Sequence, residues 1–67
     1  MIIFINDEKQ TVESGVDLSQ LLHLNDLSEK KGIAVALNGS VVSRSNWNKT
    51  ELKENDKILI ISATRGG

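Results

Sequence analysis

Apolar and polar positions alternate along this chain in short blocks with clear turn signals between them. Met1-Ile2-Ile3-Phe4-Ile5 is an unbroken apolar run closed by Asn6-Asp7-Glu8. That pattern predicts a largely covered strand followed by a turn. Lys9 to Glu13 is half polar and suits an edge strand, so the first thirteen residues predict a hairpin. Ser14-Gly15 breaks the strand pattern. Asp17 then stands three residues before Gln20, the spacing of a capping box, and Leu18, Leu21 and Leu22 fall on one helical face. A helix is predicted from Leu18 to Leu24, ended by Asn25-Asp26, with Leu27 packing beneath the connection that follows. Ile33 to Leu37 is a second apolar strand. Asn38-Gly39 is the strongest hairpin signal in the chain, and Ser40 to Ser43 is its partner strand. Arg44 to Thr50 is polar apart from Trp47 and reads as a loop or short helical turn plugged by the indole. Glu54-Asn55-Asp56 turns the chain into a last apolar strand, Lys57 to Ser62.

The predicted order is strand, strand, helix, strand, strand, strand. A single helix must cover one face of a single mixed sheet. The first and last strands are apolar throughout, which suits central positions. These conditions permit an α+β chain of the β-grasp type, with residues 1–62 as the domain and 63–67 as a tail without a packing signal.

Composition narrows the functions open to this chain. At 67 residues there is room for one modest core and none for a cofactor domain beside a catalytic cleft. Cysteine is absent and His23 is the one histidine, so disulfides, thiolate sites and a structural zinc centre are excluded. A net charge of −1 with scattered acidic and basic residues is no footprint for nucleic acid. No apolar run reaches the length of a membrane span, and the first residues lack the basic region of a signal peptide, so a soluble, cytoplasmic chain is expected. The five glycines, Gly15, Gly32, Gly39, Gly66 and Gly67, form no phosphate-binding loop. No acid/base pair or activated nucleophile can be assembled, so the chain is not expected to be an enzyme. His23 reads as solvated on the outer helix face, Trp47 as a plug, and Asp56 as a turn former.

The ordered set of segments resembles the thiamine-pathway sulfur carriers of the ThiS type, among the ubiquitin-like β-grasp proteins. The resemblance rests on Met1-Ile2-Ile3-Phe4-Ile5-Asn6, Leu21-Leu22, Ile33-Ala34-Val35-Ala36-Leu37-Asn38-Gly39, and Val41-Val42 with Arg44 and Trp47. It continues through Leu52, Asp56-Lys57-Ile58 and the terminal Gly66-Gly67. It implies a five-stranded mixed sheet in the order 2-1-5-3-4, with the first and last strands adjacent and parallel. It also implies that the Gly67 carboxylate is the working group. An E1-like enzyme would adenylate it with ATP that the partner binds, since this chain binds no cofactor. A persulfide donor would then exchange the adenylate for sulfur, and a thiazole synthase would accept that sulfur. Arg65 departs from the pattern: such carriers often have a small or apolar residue there, and Arg-Gly-Gly is closer to the end of ubiquitin. The departure bears on which activating and acceptor enzymes are used.

Glycine at 66 and 67 suits a reactive tail, because a backbone without Cβ threads a narrow channel and takes positive φ. The plain alternative is a frayed terminus. On the ubiquitin-like pattern Met1, Ile3, Ile5, Ile58 and Ile60 face the helix, while Ile2, Phe4, Leu59 and Ile61 face outward as an apolar patch beside the tail. Such a patch is an interface, or it is covered by the Trp47 loop. Competing functions are a molybdopterin-synthase small subunit, against which the absence of proline argues, and a protein-conjugating modifier, favoured by Arg65. From another class comes a β-grasp binding module without tail chemistry.

Overall fold

The computed structural model describes residues 1–27 and 31–62. The elements are β1 (Ile2–Ile5), β2 (Glu8–Thr11), α1 (Leu18–Leu24), β3 (Ile33–Leu37), β4 (Ser40–Val42), a 3₁₀ helix (Arg44–Lys49) and β5 (Lys57–Ser62). They form one five-stranded sheet in the order β2-β1-β5-β3-β4. β1 and β5 run parallel, and the other neighbouring pairs are antiparallel. This is the expected β-grasp.

Two tight turns set the hairpins. Ile5 pairs with Glu8 and Leu37 with Ser40, so each loop is two residues long: Asn6-Asp7 and Asn38-Gly39. All four have positive φ, at 50°, 72°, 50° and 89° in chain order. Both central residues of such a turn must be left-handed to match the strand twist, and Asn, Asp and Gly tolerate that conformation best.

The helix is defined at both ends. The Asp17 carboxylate accepts from the Gln20 amide at 2.8 Å, and the Gln20 side chain accepts from the Asp17 amide at 3.0 Å. At the other end Asp26 has φ 61°. The Leu27 amide donates to the Leu22 carbonyl at 2.7 Å and the Asp26 amide to the His23 carbonyl at 3.1 Å. That pair of bonds is a Schellman closure, with Asp26 where glycine is usual. Leu27 packs against the core, as its place after the closure requires.

The core lies between α1 and one face of the sheet. Ile3, Val12, Leu18, Leu21, Leu22, Val35, Trp47, Leu52 and Ile58 are buried, with Met1, Ile5, Ile33, Leu37, Val42 and Ile60 packed around them. Trp47 is 6% exposed and its indole N–H donates to the Val42 carbonyl at 2.9 Å, so the polar atom is satisfied where the ring is buried. The 3₁₀ helix packs against α1, and its buried indole belongs to the core on that side of the sheet.

At about 0.05–0.15 kcal/mol per residue, a domain of this size has only roughly 3–10 kcal/mol of stability. Leu21→Ala is therefore expected to cost about 2–5 kcal/mol, a large share of the total. Asp17→Ala should cost about 1 kcal/mol through loss of the capping box. Urea unfolding of the two variants tests this ranking, and equal losses would contradict it.

Candidate carrier surface

Strand alternation gives the sheet two unlike faces. The register fixes what lies on the face away from α1. Lys9, Phe4 and Lys57 stand opposite one another across β2, β1 and β5. Leu59 stands opposite Ala36, which stands opposite Val41 on β4, and Ile61 stands opposite Ala34. Val41 is 79% exposed, Ile61 55% and Leu59 49%. No described element covers these side chains, and the Trp47 segment lies on the helix side. Phe4, Ala36, Lys57 and Leu59 help line a shallow depression of about 300 Å³.

Of the outward residues expected from sequence, Leu59 and Ile61 are exposed, and Ile2 and Phe4 are half-buried. Phe4 and Leu59 come together around the depression. Ile2 does not join them. Its amide donates to Glu54 Oε1 at 3.0 Å and its carbonyl accepts from the Asn55 amide at 2.6 Å. It therefore sits beside the turn that enters β5, while Ile61 lies toward the other end of that strand. Ala34, Ala36 and Val41 were not expected in the patch. Alternation counted from Val35, the buried residue of β3, would have placed both alanines outward, and the Asn38-Gly39 turn would have placed Val41 beside them. Arg65, Gly66 and Gly67, the expected reactive tail, lie outside the described residues, as does the rest of 63–67.

The strand leading to that tail is gripped at its start and again at Ile60. At its start, the Asn38 amide donates to the Lys57 carbonyl at 2.8 Å and the Lys57 amide donates to Asn38 Oδ1 at 2.9 Å. Asn38 Nδ2 also donates to Asp56 Oδ1 at 3.0 Å, while Asp56 Oδ2 accepts from the Lys53 amide at 2.7 Å. Asp56 shapes the turn, as its position suggests. Further along, the Asn6 side chain bonds both backbone groups of Ile60.

A larger concavity of about 830 Å³ lies between β2 and α1, with Val12, Val16, His23 and Leu24 among its lining. It is on the opposite side from the β5 face. Among the described residues no group of His, Asp or Glu could hold a metal ion, and no helix is long and apolar enough to cross a membrane.

Fold and surface together define a β-grasp protein with a bare apolar face on the strand that precedes its C-terminal residues. The ThiS family model matches residues 2–67, and the chain belongs to the ThiS family. It is 30% identical over 67 residues to the sulfur carrier protein ThiS of Escherichia coli strain K12, covering 100% of both chains. It is also similar to the thiamine biosynthesis protein ThiS of Geobacter metallireducens. The crystal structure of that protein matches at a TM-score of 0.85 and 25% identity, with 100% of both chains covered. The solution structure of a thiamine biosynthesis protein from the same organism matches at a TM-score of 0.80, covering 100% of this chain and 88% of that one.

The two faces should respond differently to charge. Leu59→Lys and Val41→Lys are expected to change stability by no more than about 1 kcal/mol, since both side chains already meet water. Ile3→Lys, in the core, should abolish folding. Thermal melts followed by circular dichroism read the contrast, and a large loss for Leu59→Lys would show that something in the domain covers that face.

Proposed function

We propose that this chain is a sulfur carrier that donates sulfur from the C-terminal carbonyl of Gly67 for thiazole formation in thiamine biosynthesis. The observation that carries the reading is the family match, which runs through Gly66-Gly67. The relative from Escherichia coli is itself a sulfur carrier protein.

The chemistry follows from the carboxylate. Its negative charge resists nucleophilic attack, so it must be activated first. A carboxylate oxygen attacks the α-phosphorus of ATP on an E1-like enzyme, pyrophosphate leaves, and the Gly67 acyl-adenylate forms. The terminal sulfur of a persulfide attacks the acyl carbon and AMP leaves. A second thiol then attacks the sulfur that remains attached to the donor, forming a disulfide with it and releasing the Gly67 thiocarboxylate. That group is the sulfur nucleophile passed to a thiazole synthase. The chain binds no cofactor of its own in this scheme and serves as a co-substrate, not a catalyst. A cytoplasmic setting is consistent with the ATP and free thiols that this scheme uses.

The folded domain supplies the grip. Phe4, Leu59 and Ile61, extended by Ala34, Ala36 and Val41, form the partner-binding face, with Lys9 and Lys57 beside Phe4. Burying exposed Leu, Ile and Val side chains contributes on the order of 25 cal/mol per Å², which offsets the entropy of ordering the tail in an enzyme channel. Activating enzyme and acceptor both need the tail, so they bind in turn.

Intact mass after incubation with an E1-like adenylating enzyme, ATP, a persulfide source and a thiol tests the reading. The expected result is a gain matching one oxygen-to-sulfur exchange, placed on Gly67 by fragmentation and absent when Gly67 is deleted. A stable amide linkage of Gly67 to lysine on another protein would instead identify a conjugated modifier. No change with enzymes active on the Escherichia coli relative would contradict sulfur carriage.

A further inference from the structure

We infer that Asn6 is a positioning residue for activation of the carrier: its side chain stands in for a missing stretch of strand and holds the second half of β5 in place. The inference rests on the carrier reading above.

The geometry is specific. In the parallel ladder of β1 and β5, the Phe4 amide donates to the Asp56 carbonyl and the Asn6 amide to the Ile58 carbonyl, both at 2.9 Å. Continuing that ladder would require two more backbone groups opposite Ile60. None is available, because the chain turns away at Asn6 with φ 50° and enters β2. The Asn6 carboxamide supplies both groups. Its Oδ1 accepts from the Ile60 amide at 2.8 Å and its Nδ2 donates to the Ile60 carbonyl at 3.2 Å. A primary amide presents one acceptor and one donor side by side, as a peptide unit does. Only a side chain with both can close this step.

The place of the clamp gives it a role beyond the turn. From Ile60 onward β5 is held on the other flank by β3, through Val35, Ala34 and Ile33. Asn6 is the described contact on the β1 flank. With both flanks held, Leu59 and Ile61 keep their aim on the open face. With one flank free, β5 twists and the aim of those two side chains spreads. The enzyme then meets a carrier whose productive orientation is only partly populated, which raises apparent KM in inverse proportion to that fraction and leaves the bound complex able to react.

Asn6→Gly is the informative variant. Glycine keeps the positive φ of the turn without strain and removes both side-chain bonds. With an E1-like enzyme that adenylates the wild-type chain, measured by ATP–pyrophosphate exchange, KM for Asn6→Gly should rise about 3–10-fold with kcat within about two-fold. In the free chain, amide hydrogen exchange at Ile60 should speed up by about ten-fold while Val35 is unchanged. Asn6→Asp keeps the acceptor and the left-handed backbone, so Ile60 protection should survive and KM should lie between the two. Asp17→Ala removes the side-chain hydrogen bond that caps α1 on the helix side and should leave KM unaltered.

Three outcomes overturn the inference. One is an unchanged KM for Asn6→Gly. Another is an equal rise for Asp17→Ala, which would mean that general stability is being read. The third is a rise in KM for Asn6→Gly with Ile60 still protected in that variant, which would place Asn6 in direct contact with the enzyme. Failure of every such enzyme to adenylate the wild-type chain would instead remove the carrier reading itself, and this inference with it.

Discussion

The parallel pairing of β1 with β5 is the contact on which the rest of this molecule depends. Without it the chain is an N-terminal hairpin and a separate sheet of β3, β4 and β5. Phe4 lies beside Lys57 and Ile5 beside Ile58, so residues more than fifty positions apart in sequence become neighbours. That register puts Ile3 and Ile58 on one face, where both are buried with Leu18, Leu21 and Leu22 of α1. It also puts Phe4 and Leu59 on the other face, around one depression. Core and exposed surface are therefore consequences of the same pairing. Closing a loop of this length costs more entropy than closing either tight hairpin, and the apolar packing of Ile3 and Ile58 on the helix offsets it.

The division of labour between the faces follows. One face is stabilised by the helix and by Trp47, whose indole N–H finds the Val42 carbonyl. The other carries Val41, Leu59 and Ile61 in water, a disposition that a small domain tolerates when a partner buries it. β5 belongs to both. Its inward residues anchor it in the core, its outward residues form the proposed grip, and the residues that follow it carry the proposed chemistry. In that proposal β5 must be held firmly, and the side chains of the turn asparagines Asn6 and Asn38 both bond its backbone.

Much of this was legible in the sequence because its causes are local. Asn38-Gly39 specifies a two-residue turn by the φ values it tolerates. Asp17 and Gln20 specify where the helix begins, and Leu18, Leu21 and Leu22 specify which side it buries. Alternation through Leu59 and Ile61 separated the two faces of β5. What escaped was long-range or chemically quiet. Asn6 reads as an ordinary turn residue, since its bond to Ile60 spans 54 positions. Ala34 and Ala36 announce no interface, because alanine is at home on either face. Ile2 was grouped with Leu59 and Ile61 by alternation alone, which says which face a residue takes and not how far along the strand it lies. The proposed sulfur chemistry is suggested only by the resemblance of the whole chain, for two glycines have no chemical signature of their own.

In the proposed scheme the open face of the sheet, and not the helix side, meets the enzyme that works on Gly67. Amide line broadening of the isotope-labelled chain, titrated with an E1-like adenylating enzyme, tests it directly. Selective broadening is expected at Phe4, Ala34, Ala36, Val41, Leu59 and Ile61, with Ser19, Gln20 and His23 undisturbed. Broadening concentrated on α1 and β2, around the concavity lined by Val16 and Leu24, would contradict it.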